Sequence, residues 1–225
     1  MSITFCVASV TGSKAVLFDL DGTFADTAAD LASALNRMRT EQGLEPMPIE
    51  RVRPFASAGA RGLVLAGFGV KPGDSEYDAL RTEFLEYYGE RTCVETRLFP
   101  GIQRLLAELK ARAVAWGLVT NKSQRFTERI VVSLGLEPAC VVCGDSTPHL
   151  KPHPAPLLLA AERLKLAPAS CIYVGDDLRD IQAARAAGMR PVAVEWGYHH
   201  PDSGAPGSWQ ADAVIGQPRD LIALL

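Results

Sequence analysis

Four short apolar runs in this sequence each lead into residues able to handle a phosphoryl group. Ala15-Val16-Leu17-Phe18 runs into Asp19-Leu20-Asp21-Gly22-Thr23, and Ala115–Val119 runs into Thr120-Asn121-Lys122. Cys140–Val142 is followed by Gly144-Asp145 and then Lys151-Pro152, while Cys171–Val174 ends in Gly175-Asp176-Asp177. Asp19 and Asp176 offer hard oxygen ligands of the kind Mg²⁺ prefers, and a carboxylate is also a nucleophile toward phosphorus. An anion attacking a phosphate meets repulsion of about 4 kcal/mol for unit charges ~4 Å apart at an effective dielectric of roughly 20. Mg²⁺ and Lys151 would offset that repulsion. Thr120 and its neighbour Asn121 can bind the phosphoryl oxygens, helped by nearby backbone N–H groups. Asp21, two residues beyond Asp19, is placed to protonate a leaving oxygen and then to activate water, and Gly22 lets the chain turn sharply beside the site.

The chemistry needs a scaffold that brings these loops together. Continuous apolar runs read as strands buried on both faces of a parallel sheet, with a further run at Pro191–Val194. Between them lie helical patterns at Ile102–Arg112, Gln124–Leu134, Pro156–Leu164 and Leu178–Ala187, the last closed by Gly188. This alternation predicts a doubly wound α/β core with a parallel sheet, whose ligands bind beyond the carboxyl ends of the strands. From Asp26 to Leu98 the patterns are helical and no strand-like run appears, so a small helical module interrupts the core after its first strand. The organisation expected is a core of residues 14–25 and 99–225, a helical insert of 26–98, and an extension at 1–13. Within the insert, Thr27 and Asp30 read as a capping box. Asp74 reads as the cap of a helix whose Tyr77, Leu80, Phe84, Leu85 and Tyr88 share one packing face.

Bulk properties narrow the partners. The net charge of −3 carries no basic footprint for nucleic acid. No stretch approaches the roughly 18 apolar residues of a membrane span, and Met1–Gly12 lacks the basic start of a signal peptide. Five scattered cysteines suit a reducing cytoplasm. Cys140 and Cys143 form a CxxC, but positions three apart on a strand face opposite sides, so they are read as structural. His149 and His153 flank Lys151 and His199-His200 lie late in the chain, a spacing unlike that of zinc ligands.

Asp19-Leu20-Asp21-Gly22-Thr23 resembles the DxDGT signature of the haloacid dehalogenase superfamily. Thr120, Lys151 and Gly175-Asp176-Asp177-Leu178-Arg179-Asp180 resemble its later motifs in the expected order. The likeness covers nearly the whole chain from Lys14, and the insert resembles the small helical cap of the subgroup containing phosphoglycolate phosphatases. The resemblance implies that Asp19 is the nucleophile and Asp21 the general acid and base. It also implies that Mg²⁺ is held by Asp19, the backbone carbonyl of Asp21, and Asp176. Asp177 follows directly and is a second candidate for the metal; register favours Asp176, with Asp177 and Asp180 supporting from behind. Asp21 argues against dehalogenation, which has no use for a leaving-group acid. Phe24, where Leu is commoner, is expected to alter only the packing under the cap.

The expected activity is therefore Mg²⁺-dependent hydrolysis of a small phosphorylated metabolite through an aspartyl-phosphate, similar to that of phosphoglycolate phosphatases. Ser57-Ala58-Gly59-Ala60-Arg61, Val119–Lys122 and Gly197-Tyr198-His199 also resemble N-acetylmuramic acid 6-phosphate phosphatases, which gives the alternative substrate. A sugar phosphomutase is a third reading. A non-catalytic receiver-like domain phosphorylated at Asp19 is a fourth, disfavoured by length and by Asp21. Both substrates carry a carboxylate, and Arg61 is the candidate to grip it.

Overall fold

The computed structural model describes residues 15–225, so the expected extension at 1–13 lies outside the described residues. Strand β1 (Ala15–Phe18) is buried throughout and alternates between two cores. Val16 and Phe18 enter one apolar cluster, while Ala15 and Leu17 enter another. That is why a four-residue run with no polar position is required there. The insert is entered and left through a two-strand antiparallel ribbon, β2 (Ala25–Asp26) with β3 (Arg97–Leu98). Between the ribbon strands lie helices α1 (Ala28–Glu41), α2 (Ile49–Val52), α3 (Gly59–Phe68) and α4 (Tyr77–Glu90), with a 3₁₀ turn at Arg53–Ala58.

After the ribbon the chain alternates regularly: α5 (Ile102–Ala111), β4 (Ala115–Val119), α6 (Gln124–Ser133), β5 (Cys140–Val142), α7 (Ala155–Leu164), β6 (Cys171–Gly175), α8 (Leu178–Ala186), β7 (Arg190–Val194) and β8 (Ala213–Ile215). The described sheet runs β5-β4-β1-β6-β7-β8, and every pairing in it is parallel. Phe18 sits level with Leu118 on one side and Val174 on the other, so β1, β4 and β6 end side by side. Their following loops therefore open at one edge. Gly188, at φ +72°, closes α8 in the left-handed conformation expected of it.

Several local readings are overturned. Thr27 precedes α1 without capping it, because its hydroxyl donates instead to Asp21 Oδ1 at 2.5 Å. Asp30 accepts from the backbone N–H groups of Glu95 and Thr96, both at 2.9 Å, and from the Thr96 hydroxyl at 2.6 Å. Asp21 in the core loop and the Glu95–Thr96 segment at the insert's exit have taken the two side chains from the capping box. Asp74 accepts from Lys71 N, and Glu76 precedes α4. Phe24 stacks on Trp116 at 5.2 Å and meets Phe18 edge-on at 5.5 Å, so it packs against the sheet. Strand β8 escaped sequence reading because it is three residues long and only its last residue is buried.

In the insert, fully buried Leu35 of α1 fills the space over Gly67 of α3, where even a methyl group would overlap it. Leu35→Ala should leave a cavity and cost about 2–5 kcal/mol. Urea unfolding followed by circular dichroism measures this, and a loss under ~1 kcal/mol would mean the α1–α3 contact is not tightly packed.

Candidate active site

The loops after β1, β4, β5 and β6 converge on one cleft of about 560 Å³, with Asp19, Asp21, Thr120, Asn121, Lys151, Asp177 and Asp180 in its walls. Lys151 is the electrostatic centre. Its ammonium is almost completely buried, lying 2.8 Å from Asp19 Oδ1, 2.8 Å from Asp180 Oδ1 and 2.8 Å from the Tyr173 hydroxyl. Burial alone would lower its pKa, but Asp180 and Asp19 reverse that and hold it charged. The Lys151 backbone is fixed by Asn121, whose amide exchanges hydrogen bonds of 2.9 and 3.0 Å with Lys151 N and O. Asn121 thus sets the position of Lys151 in addition to facing the cleft. Thr120 is buried, and its hydroxyl accepts from Lys122 N at 3.1 Å.

Asp176 is fully buried at the end of β6. Thr23 Oγ1 donates to its Oδ1 at 2.8 Å, and Ser57 Oγ and Tyr198 N donate to its Oδ2 at 2.8 and 2.9 Å. Gly22, at φ +90°, and Gly197 both press against this carboxylate, and a side chain at either would overlap it. Asp177 turns away. It caps α8 and binds Arg179 at 2.8 and 2.9 Å, and although burial opposes ionisation, Arg179 holds its carboxyl below the usual range. Arg179 in turn donates to Ser57 O at 2.8 Å, tying the insert to the core.

Asp19, Asp176 and Asp180 place carboxylate oxygens within 4.8 Å of one another, the metal-competent acidic group found among the described residues. The wider network sets five carboxyl groups, Asp19, Asp21, Asp176, Asp177 and Asp180, against three cations, Lys122, Lys151 and Arg179. Burial, with Asp19 and Asp180 adding repulsion, pushes the Asp176 carboxyl up to about 8. Burial also raises Asp180 against the opposing pull of Lys151. Buried anions in excess, presenting hard oxygens, fit a divalent cation such as Mg²⁺. Asp180 is paired with Lys151 and accepts from Asp177 N, whereas Asp176 is held by neutral hydroxyl and backbone donors and has no cation of its own.

Asp21 faces the other wall. Lys122 Nζ contacts its two oxygens at 2.8 and 3.1 Å, and Thr27 Oγ1 donates to it from the insert's entrance. Lys122 is half of what sequence reasoning missed, although it stands in the same loop as Thr120. Tyr198 is the other half, with its hydroxyl 2.6 Å from Thr27 N and 3.0 Å from Asp26 Oδ1. Its position in a late loop gave no chemical signal. Arg61, on α3, is exposed at the cleft wall, and Arg81 of α4 joins it there with Tyr77, Phe84, Leu85 and Tyr88. The Tyr88 hydroxyl is buried with no acceptor for its O–H, which costs about 1–3 kcal/mol. Cys140 and Cys143 are buried free thiols, and no described helix is long and apolar enough to cross a membrane.

The charge excess makes a pH prediction for protein held in chelator. An unfolded aspartate titrates near 4, whereas Asp176 in the fold titrates at about 8. Between these values the folded state holds a proton that the unfolded state has lost, so stability falls as pH rises. Tm in chelator should therefore drop from pH 5 to pH 8, and Mg²⁺ should raise Tm most at the alkaline end. A chelated Tm that climbs across this window would contradict the assigned burial of Asp176.

The sequence matches the family described as haloacid dehalogenase-like hydrolase over residues 16–194. It is 44% identical over 214 residues to an N-acetylmuramic acid 6-phosphate phosphatase of Pseudomonas aeruginosa, covering 94% of each chain. It is 42% identical over 210 residues to a phosphoglycolate phosphatase of Xanthomonas campestris pv. campestris, covering 92% of this chain and 94% of that one. Among solved structures, a predicted phosphoglycolate phosphatase from Haemophilus somnus superposes with a TM-score of 0.82 at 27% identity, over 96% of this chain and 99% of the other. With the signature aspartates, Lys151 and the parallel sheet in place, the chain belongs to the haloacid dehalogenase-like hydrolase family, and within it to the phosphoric monoester hydrolases.

Proposed function

We propose that this chain is a Mg²⁺-dependent hydrolase of a small, carboxylate-bearing phosphorylated metabolite, working in the cytoplasm through an aspartyl-phosphate on Asp19. The observation that carries the reading is the Asp19–Lys151–Asp180 contact beside Asp176, at the floor of a cleft large enough for a metabolite. Asp19, the Asp21 carbonyl and Asp176 would hold the metal, with Asp177 and Asp180 fixing their surroundings. Bound there, Mg²⁺ would offset the charge on the phosphoryl oxygens.

The chain's own groups do the rest. Thr120 and Lys151 orient the phosphoryl group so that a carboxylate oxygen of Asp19 attacks phosphorus as the ester P–O bond breaks. Asp21, held by Lys122 and Thr27, gives its proton to the departing oxygen. It then takes a proton from water, whose oxygen attacks the aspartyl-phosphate and releases free phosphate. Release of phosphate also separates this reading from a mutase, which would return it to a sugar.

The cleft favours the larger of the two substrates named for the relatives. Its volume of about 560 Å³ lies within the ~300–1,000 Å³ typical of sites that enclose drug-sized ligands. A two-carbon acid such as phosphoglycolate would leave most of it to water. N-acetylmuramic acid 6-phosphate would reach the apolar wall of Phe84 and Leu85 and bring a carboxylate toward Arg61 and Arg81. Comparison of phosphate release from the two esters tests the choice, with higher kcat/KM on the amino-sugar ester expected and the opposite order restoring phosphoglycolate.

Two substitutions test the roles. Asp19→Asn keeps the side-chain shape but removes the attacking charge, so turnover should fall by orders of magnitude with Tm little changed. An acyl-phosphate trapped on another residue would contradict the assignment. Arg61→Ala should lower kcat/KM for the carboxylate-bearing ester by about 1.5–3 kcal/mol, the worth of a charge-assisted hydrogen bond. An aryl phosphate without a carboxylate should lose far less, and equal losses would make Arg61 a general phosphate contact.

A further inference from the structure

The Tyr88 ring is fully accounted for by packing. It stacks parallel to Phe84 at 6.2 Å and tilts against Phe126 at 4.9 Å. Its hydroxyl is less well accounted for: it is buried in the wall of the active-site cleft, and its O–H meets no acceptor. Phenylalanine would fill the same space without leaving a polar atom stranded. Burial pushes the phenol pKa up to about 12, so the group is a neutral O–H, free to donate. Beside it, Lys122 Nζ lies 4.8 Å from the ring centroid while contacting both oxygens of Asp21. An ammonium has three N–H donors, and Asp21 occupies two of them. The third is drawn to the Tyr88 oxygen, so the Tyr88 O–H is the donor left over, held beside Lys122 on the side of the cleft where Asp21 stands.

We propose that the Tyr88 hydroxyl, backed by the Lys122 ammonium, forms a subsite for an acceptor oxygen on the leaving group, close to the ester that is cleaved. The proposal rests on the reading of Asp21 as the acid that protonates the leaving oxygen, because that role places Tyr88 and Lys122 beside the leaving group. The oxygen taken is a carboxylate or a sugar ring or hydroxyl oxygen on the carbon skeleton adjoining the ester. A plain alkyl phosphate offers neither. The subsite is thus distinct from the Arg61 and Arg81 wall, which belongs to α3 and to the outer part of α4's cleft-facing stripe.

The test is Tyr88→Phe, which removes one oxygen atom and keeps the ring packing. With phosphoglycolate for the carboxylate, glucose 6-phosphate for the ring oxygen and propyl phosphate for no acceptor, kcat/KM should fall about tenfold further for at least one acceptor-bearing ester than for propyl phosphate. Tm should stay level or rise, since a stranded hydroxyl is lost. The ester that shows the larger loss identifies the acceptor as charged or neutral. A parallel measurement avoids turnover: calorimetric binding of the same esters to Asp19→Asn, with and without Tyr88→Phe, should show the same tenfold difference. Equal losses on all esters, no loss on any, or no binding of either acceptor-bearing ester would overturn the subsite. Continued phosphate release by Asp19→Asn would instead overturn the nucleophile while leaving the binding comparison to judge Tyr88.

Discussion

The central constraint on this molecule is the burial of more carboxylates than cations around Lys151. Charges taken from water into a protein interior are costly unless paired, and here the pairing is incomplete by design of the donor set. Asp19 and Asp180 share one ammonium, Asp177 has its own guanidinium, and Asp176 relies on hydroxyl and backbone donors. The unpaired carboxyl groups that remain are what make the site a fit for a divalent cation. The sheet exists to hold that uncomfortable arrangement in place: four parallel strands buried on both faces allow their terminal residues little freedom to move apart.

Around this centre the helical insert acts as more than a cover. Ser57 donates to Asp176, Arg179 reaches back to Ser57, and Thr27 at the entrance of α1 touches Asp21. The carboxylates of the core are therefore completed by groups from the insert. Tyr198, from the loop after β7, binds both Asp176 through its N–H and the insert's entry through its hydroxyl, so one residue links the two regions.

The fold and the chemical centre were legible in the sequence for one reason. Buried parallel strands must be continuously apolar, and polar residues that follow such runs stand out against them. Asp19, Thr120 and Asp176 are visible this way, as is the alternation of α5 through β7. The readings that failed were local rules applied to side chains with distant business. Thr27 and Asp30 have the spacing of a capping box, but Asp21 and Thr96 outcompete the helix end for them. Lys122 stood out beside Thr120, but not its role, because its partner Asp21 is 101 residues away. Tyr88 was legible as packing, and its ring does pack, but burial of a hydroxyl without an acceptor appears only in three dimensions.

The ribbon of β2 and β3 has a consequence for how such proteins diversify. Ala25 pairs with Leu98 and Asp26 with Arg97, so the insert leaves and re-enters the core at adjoining points. Geometrically the core is indifferent to the length and contents of what hangs from those two strands. A lineage can lengthen, shorten or replace the insert without shifting β1 or the loop that carries Asp19. Chimeras joined at this ribbon offer a direct route to new selectivity, provided the replacement supplies a donor where Ser57 now meets Asp176.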